Sequence, residues 1–249
     1  MIFTIAGKEL KTLFLSPLAW AILAVVQAIL AYFFLVYLEY YVQIQPQLAA
    51  LPNAPGVTNI VVAPLFATVA VVLLLVVPLL TMRLVSEERR NQTLRLLLSA
   101  PVSVTEIILG KFAGIMGFLL IMLGMMTLMP LSLLLGGSID MGLLLSSLLA
   151  LLLLLCSFAA LGLYLSTLTK QPTVAAVGAF GALLLLWILD IAGSTGGQDS
   201  VLSYLSMLNH YQALLRGIFS SEDIIYYLLF SSVFLVLSVR RLDAERLQH

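Results

Sequence analysis

The sequence predicts an all-α polytopic membrane protein with six transmembrane helices. Its 249 residues are 62% hydrophobic and only 10% charged, whereas soluble proteins carry about 25% charged residues. The apolar residues fall into six runs, and all but the last are long enough to cross about 30 Å of hydrocarbon as a helix that rises about 1.5 Å per residue. Charged residues gather between the runs, which favours a helical bundle in lipid.

The six runs define the predicted spans, which are residues 18–41, 60–82, 112–135, 143–168, 174–192 and 224–239. The last run is short for a bilayer. Arg240 and Arg241 can reach toward water at one of its ends, and Glu222 with Asp223 suits the positive N-terminal end of a helix. The run is therefore retained as a span. One cysteine and two histidines are too few for a zinc or haem site, so no metal is expected.

The segment before the first span, residues 1–16, predicts an amphipathic entry helix. Helical spacing places apolar side chains on one arc: Ile2, Phe3, Ala6, Leu10, Leu13 and Phe14. Lys8, Glu9 and Lys11 lie opposite, with Ile5 as an exception. Such a helix lies in the membrane plane, and the alternative is a frayed basic tail. After the first span, Pro46 and two further prolines predict an irregular outer loop over residues 43–59.

The segment between the fifth and sixth spans, residues 193–223, predicts an interfacial or re-entrant helix on the outer side. Its apolar residues repeat at helical spacing: Val201, Tyr204, Leu208, Tyr211, Leu215 and Ile218. A seventh span here would bring several polar side chains into lipid and would place the C-terminal arginines outside. That alternative is rejected.

The cations set the predicted orientation. With the N-terminus on one side, eleven of the twelve Lys and Arg residues fall on that side, and only Arg216 falls on the other. The positive-inside rule then predicts a multi-pass inner-membrane protein with both termini in the cytoplasm.

The longest cytoplasmic segment, residues 83–111, places charge beside apolar surface. Glu87, Glu88, Arg89 and Arg90 follow the second span, and residues 93–98 can form two helical turns before a proline. Further on, a Ser and a Glu at residues 103 and 106 predict a capping box, so the helix of the third span begins in the cytoplasm. Such a segment can receive a soluble partner, or it is an ordinary charged hairpin.

The run Glu87-Glu88-Arg89-Arg90-Asn91-Gln92-Thr93-Leu94, with Leu96-Leu97-Leu98 and Pro101 after it, resembles the hallmark "EER…GT…LL…P" of ABC-2 type transporter permeases. The entry helix, the six spans and the outer half-helices are similar to that family as well. Within it, the chain is most similar to permease subunits related to the gliding-motility exporter. Two positions depart from the pattern. Gln92 stands where the family usually has Gly, and Arg95 stands where an acidic residue is common.

The resemblance implies a permease subunit that couples ATP hydrolysis by a separate ABC ATPase to export. The implied coupling residues are Glu87, Glu88, Arg89, Arg90, Thr93, Leu96, Leu97, Leu98 and Pro101. The implied partners are two copies of the ATPase, a second permease half of the same or a related chain, and membrane lipid. An accessory extracytoplasmic subunit is a further candidate, and nucleic acid is not expected.

The chain itself is not expected to be an enzyme or to hold a cofactor, because it has no G-x-x-x-x-G-K-[ST] motif. Gly110 and Lys111 are followed by Phe112. ATP and Mg²⁺ are therefore expected on the partner ATPase.

A candidate substrate path is formed by four polar residues near the predicted outer side: Glu39, Asp190, His210 and Arg216. For Glu39 and Asp190 plain placement at the membrane interface, where water is close, is the favoured interpretation. For His210 and Arg216 a plain surface contact is at least as consistent with the sequence. Two other function classes stay open on the sequence, namely an ion-coupled secondary transporter and a membrane anchor subunit of a larger assembly. A secondary transporter is expected to show inverted repeats and ionisable groups at the midplane, and neither is clear here.

Overall fold

The computed structural model describes residues 1–48, 56–94, 102–135, 139–195 and 206–246, with the backbone alone for residues 189–195. Within these residues all regular structure is helical. The α-helices are α1 (Ile2–Leu15), α2 (Pro17–Leu48), α3 (Ala63–Thr81), α4 (Ser86–Arg90), α5 (Val104–Ser132), α6 (Met141–Leu168), α7 (Pro172–Thr195), α8 (Met207–Leu215) and α9 (Ser221–Arg246). A short π-helix, Thr58–Val62, precedes α3, and a 3₁₀ turn, Leu133–Leu135, follows α5.

The predicted all-α polytopic membrane fold is confirmed. Among the described residues, five helical stretches are long and apolar enough to cross a membrane: Pro17–Leu48, Thr58–Arg90, Val104–Leu135, Met141–Leu168 and Ser221–Arg246. A shorter apolar stretch, Pro172–Ile188, lies in α7. These six helices contain the six predicted spans. The last span was expected to be short, but α9 has 26 residues and carries Arg240 and Arg241 inside the helix.

The first span is longer than expected, because α2 continues to Leu48. The prediction of an irregular loop over residues 43–59 is therefore wrong for residues 43–48, and also for residues 57–59, which are helical. Pro46 lies inside the helix. It lies two residues before the helix end, so its missing N–H leaves only one further carbonyl group unpaired, close to the last four carbonyl groups that lack an intrahelical partner in any case. Residues 49–55, which hold the other two prolines of the predicted loop, lie outside the described residues.

Helix α1 is amphipathic as predicted, but its inner face is rotated from the expected one. Ile5 is half-buried, whereas Phe3 is 90% exposed. The reason is the surface against which α1 packs. Gly110 and Gly114 of α5 form a notch, and a Cβ atom built on them would lie 2.7 Å from the Cβ atoms of Ile5 and Glu9. The entry helix thus packs on another helix of the same chain through the face that contains Ile5 and Glu9.

Helix α6 is the most buried of the long helices. It packs against α3, α5, α7, α8 and α9. Near one end it approaches α3 so closely that a Cβ atom on Gly162 would lie 2.1 Å from the Oγ1 atom of Thr81. At its other end, the side chain of Asp140 caps the helix by accepting from the N–H groups of Gly142 and Leu143.

The predicted outer helix is shorter than its apolar pattern suggested. Helix α8 ends at Leu215, and Gly217 adopts a φ of +77°, which turns the chain out of the helix. Ile218, which was expected on the apolar face, is consequently 58% exposed. Val201 and Tyr204, which were expected to begin this helix, lie outside the described residues.

Candidate functional site

A charged helix of five residues, α4, forms the centre of the site. It follows α3 after a turn at residues 82–85 and contains Ser86, Glu87, Glu88, Arg89 and Arg90. So short a helix has little stability of its own, because nucleation is unfavourable and hardly any hydrogen bonds form within it. Its position is therefore set by contacts with the surrounding helices.

The first of these contacts joins the N-terminal end of α4 to α6. No side chain of its own caps α4. The N–H groups of Val85 and Ser86 instead donate to the Oγ atom of Ser166, both at 3.0 Å. The same hydroxyl donates to the carbonyl oxygen of Met82 at 3.0 Å. Ser166 is fully buried, so a single side chain of α6 satisfies three backbone groups at the break between α3 and α4.

The second contact is a buried ion cluster between α4, α1 and α5. The Nζ atom of Lys111 on α5 lies 2.8 Å from Oε1 of Glu88 and 2.8 Å from Oε1 of Glu9 on α1. The lysine side chain is 1% exposed, and the two glutamates are 19% and 14% exposed. A buried charge is tolerated where it is paired and hydrogen-bonded. Because two carboxylates share one ammonium group, the cluster carries an excess negative charge.

The third contact joins α4 to the C-terminal end of α9. Arg89 donates through Nη2 to Oε2 of Glu245 at 2.7 Å, and its side chain is 9% exposed. The next residue, Arg246, donates to the carbonyl oxygen of Val102 at 3.4 Å. The end of α9 therefore meets both α4 and the residues that precede α5.

The two remaining charged residues of α4, Glu87 and Arg90, are exposed. Glu87 faces a cleft of about 510 Å³ between α1 and α4, whose lining also includes Lys8, Arg83 and Asn91. Charges of both signs therefore line an open groove beside the only exposed face of α4 within the described residues. Such a surface is suited to a polar protein partner.

The C-terminal end of α4 is closed by Gln92 and Thr93. Gln92 has a φ of 59°, in the left-handed region that favours glycine. The turn brings the N–H group of Thr93 to 3.0 Å and its hydroxyl to 3.3 Å from the carbonyl oxygen of Glu88. These two residues thus act together as a C-terminal cap.

A second polar cluster lies at the opposite end of the bundle. Nδ1 of His210 on α8 lies 2.5 Å from Oδ1 of Asp223 on α9. The imidazole also stacks on Tyr226, with ring centroids 4.3 Å apart. Tyr211 of α8 donates to the carbonyl oxygen of Phe66 on α3 at 2.7 Å, and burial raises the pKa of this phenol far above its ordinary value. The hydroxyl therefore remains a donor, and α8 is fastened to both α3 and α9.

The family described as ABC-2 family transporter protein matches residues 3–247 of the chain. The chain belongs to the ABC-2 transporter family. A search of curated protein sequences gives no match. Membership agrees with the six apolar helices and the charged helix between the second and third of them, and it makes the chain the membrane subunit of an ABC transporter. The family in general implies an ABC ATPase as partner.

The ABC-2 hallmark residues do not all lie at the surface. Glu88 and Arg89 make ion pairs within the chain, Glu87 and Arg90 are exposed, and Thr93 closes the turn after α4. The glycine that the family pattern carries at position 92 is explained by the positive φ found there. Leu96, Leu97, Leu98 and Pro101 lie outside the described residues.

The residues of the predicted substrate path are not brought together by the described contacts. His210 is paired with Asp223. Glu39 is exposed on α2 and accepts from Gln43 at 3.4 Å. Arg216 is exposed at the end of α8, and no ion pair between described residues includes it. Asp190 lies in α7, but its side chain lies outside the described residues.

Three residues that hold α4 in place were not singled out in the sequence. Lys111 was treated only as the last residue of the cytoplasmic segment, and the structure places it two turns inside α5, beside the glycine notch. The predicted capping box at Ser103, which is confirmed by the 3.2 Å bond from the Glu106 N–H group to the Ser103 hydroxyl, already implied that position. Glu9 lies at helical spacing from Ile5, and that spacing was the available signal. Ser166 gave no signal, because its role depends on a backbone 80 residues earlier.

Proposed function

We propose that this chain is the membrane-spanning subunit through which a separate ABC ATPase drives export across the bacterial inner membrane. In this proposal α4 and the groove beside it form the ATPase contact, and Glu87 with Arg90 pairs with charges on the partner. Mg²⁺-ATP is bound and hydrolysed on the ATPase. Two ATPase copies and a second permease half complete the transporter, and an accessory extracytoplasmic subunit is a further candidate.

The observation that carries the proposal is the way in which α4 is held. Three of its five residues bond to other helices. Ser86 bonds to α6, and Arg89 bonds to α9. Glu88 bonds to Lys111 of α5, which in turn bonds to Glu9 of α1. A push on the exposed face of α4 therefore acts on four helices at once. A charged loop that only touched lipid headgroups would need no such internal bonds. Its charges would also be basic throughout, since an anionic membrane surface repels glutamate.

The distribution of buried charge argues against an ion-coupled carrier. Within the described residues, the buried side chains with a charge are Lys111 and Asp223. Both lie near the ends of the bundle, one beside α4 and one at the start of α9. Ion-coupled carriers place ionisable groups near the middle of the membrane. The described side chains of the spans include no Asp, Glu, Lys, Arg or His there.

The test begins with purification of the tagged chain from its native membrane, followed by measurement of ATP hydrolysis by proteins that copurify. We expect an ABC ATPase in the preparation and no hydrolysis by the isolated chain. Reversing both exposed charges, with Glu87→Lys and Arg90→Glu, should weaken docking a few-fold, because exposed ion pairs contribute roughly 0.2 to 1 kcal/mol each. The hydrolysis stimulated by the chain should fall accordingly.

The matched control is Glu222→Lys, which reverses an equally exposed charge at the opposite end of the bundle. This variant should keep ATPase recovery and stimulation at the parent level. Isolated chain that hydrolyses ATP at enzymatic rates would contradict the proposal. The same holds if the double variant inserts normally and stimulates its ATPase as the parent does.

A further inference from the structure

We infer that α6 moves as a rigid helix and transmits a displacement of α4 to the outer helix α8. Ser166 and Ser146 are the positioning residues at its two ends. The inference rests on the proposed function, because it assumes that a partner moves α4. It goes beyond that function by naming the helix through which the movement crosses the membrane. Two buried serines on one helix, each bonded to the backbone of a different short helix, point to this assignment.

At the inner end, Ser166 joins α6 to the beginning of α4. The first N–H groups of a helix have no intrahelical acceptor, and here Val85 and Ser86 both donate to the Ser166 hydroxyl at 3.0 Å. Burial excludes water as a substitute acceptor. A displacement of α4 that keeps these bonds must carry the end of α6 with it.

At the outer end, Ser146 joins α6 to the last turn of α8. Its hydroxyl donates to the carbonyl oxygen of Leu214 at 2.5 Å, and Ser146 is fully buried. The same carbonyl accepts from the N–H group of Gly217 at 3.0 Å, where the chain leaves the helix. The bond therefore lies at the point where α8 meets the exposed residues Ile218 and Phe219.

The helix between these two serines is suited to transmit a shift. The serines are 20 positions apart, which corresponds to roughly 30 Å along a helix and so to the thickness of the hydrocarbon layer. Residues 141–168 contain no proline. Because α6 is the most buried long helix and packed interiors transmit strain, a shift at one end reaches the other without bending.

The competing route runs along α3, which is joined to α4 by the chain itself and to α8 by the bond from Tyr211 to the Phe66 carbonyl. Two features weaken it. The turn at residues 82–85 interrupts the helix between α3 and α4. Pro78 lies in the last turns of α3 and removes one backbone donor there. The experiment includes this route as an alternative.

The experiment follows a cysteine reporter beside α8 in the complex of the full chain with its ATPase. Cys156→Ala removes the only native thiol of the chain, and Phe219→Cys introduces the reporter at a position that is 59% exposed. The rate of reaction with a charged maleimide is measured with and without ATP and Mg²⁺, and ATP hydrolysis is measured in parallel. In the parent complex we expect the rate to depend on ATP.

Ser146→Ala should reduce that dependence by about fivefold, the factor for losing one typical hydrogen bond between the coupled elements. Ser166→Ala should reduce it at least as much, because it removes the partner of three backbone groups. Stimulated ATP hydrolysis should persist in Ser146→Ala, which leaves the contacts of α4 in place. Ser146 lies at the far end of α6 from α4, so its effect cannot arise from weaker docking of the ATPase. The matched control is Ser147→Ala, because this buried serine bonds only to the Leu143 carbonyl of its own helix.

A reduction of the ATP dependence by about fivefold or more in both serine variants, with retention in Ser147→Ala and Tyr211→Phe, supports the inference. It is overturned if either serine variant retains the parent's dependence, or if Tyr211→Phe alone abolishes it, which would assign the movement to α3. A parent complex that hydrolyses ATP without any change at the reporter also overturns it and leaves the proposed function standing. A parent chain that stimulates no ATPase contradicts the proposed function itself.

Discussion

At the end of α4 the backbone of Gln92 lies in the left-handed region, with a φ of 59°. This conformation costs an L-residue roughly 1 to 2 kcal/mol, and glycine adopts it freely. A glycine at this position would relieve that strain, but it would also lose more conformational entropy on folding, which offsets part of the stabilisation. The turn is nevertheless needed, because it brings Thr93 back to the Glu88 carbonyl.

The first prediction is that Gln92→Gly stabilises the protein by roughly 0.5 kcal/mol, which corresponds to a rise in Tm of about 1 to 2 °C. The control is Asn91→Gly, because Asn91 has a φ of −83° and gains nothing from glycine. That variant should lower the Tm. Thermal unfolding of the purified protein in lipid nanodiscs gives both values. The opposite order of the two variants would contradict the capping role assigned to residue 92.

The second prediction concerns Lys111, the buried cation between Glu9 and Glu88. Lys111→Met leaves two carboxylates together with no cation between them. Removal of one partner from a buried ion pair costs about 3 kcal/mol or more, so the Tm should fall by roughly 6 to 12 °C. Lys170→Met is the control, since Lys170 is exposed and its loss should change the Tm little. Equal effects of the two substitutions would show that the cluster does not stabilise the fold.

At the scale of the elements, the entry helix is held by shape as well as by charge. Gly114 of α5 leaves room for α1, since a Cβ atom there would lie 2.7 Å from the Glu9 Cβ atom and 3.1 Å from the Ala6 carbonyl oxygen. The carbonyl belongs to the backbone and cannot rotate away. Helix α1 must therefore shift if a side chain is added at this position.

The third prediction is that Gly114→Val displaces α1 while the six spans remain folded. In a Cys156→Ala background, Ala6→Cys should react faster with a maleimide when Gly114→Val is present, because Ala6 is half-buried against α5 in the parent. Gly124→Val is the control on the same helix, since nothing lies within 4 Å of the Cβ position there. If both valines raise the reactivity at residue 6 equally, the notch does not hold α1.

At the scale of the whole molecule, features that depend on composition or on neighbouring residues could be predicted from the sequence. Features that depend on contacts between helices distant in the chain could not. The spans were predictable because the favourable free energy of placing about twenty apolar residues in the hydrocarbon layer outweighs the other contributions to the free energy of insertion. The capping box at Ser103 was predictable because it is local. The inner face of α1 was not, since Gly110 and Gly114, which define it, lie about a hundred residues away. The same holds for Ser166, whose partners belong to another helix.

The last prediction is the orientation of the molecule. The contacts of α4 gather Glu9, Lys111 and Glu245 at one end of the bundle, where Lys8, Arg83 and the arginines of α9 also belong. His210 and Asp223 belong to the other end. Of the twelve Lys and Arg residues in the sequence, Arg216 is the one predicted to lie at that end. Cationic loops are retained in the cytoplasm during insertion. We therefore place α4 inside the cell and α8 outside.

In a Cys156→Ala background, Glu222→Cys should react with an impermeant maleimide added to intact cells, and Asn91→Cys should not. Both positions are exposed, so a difference between them reports the side of the membrane and not burial. Permeabilised cells serve as the control, in which both cysteines should react. Labelling of residue 91 in intact cells would reverse the orientation, and it would remove α4 from the reach of any cytoplasmic ATPase.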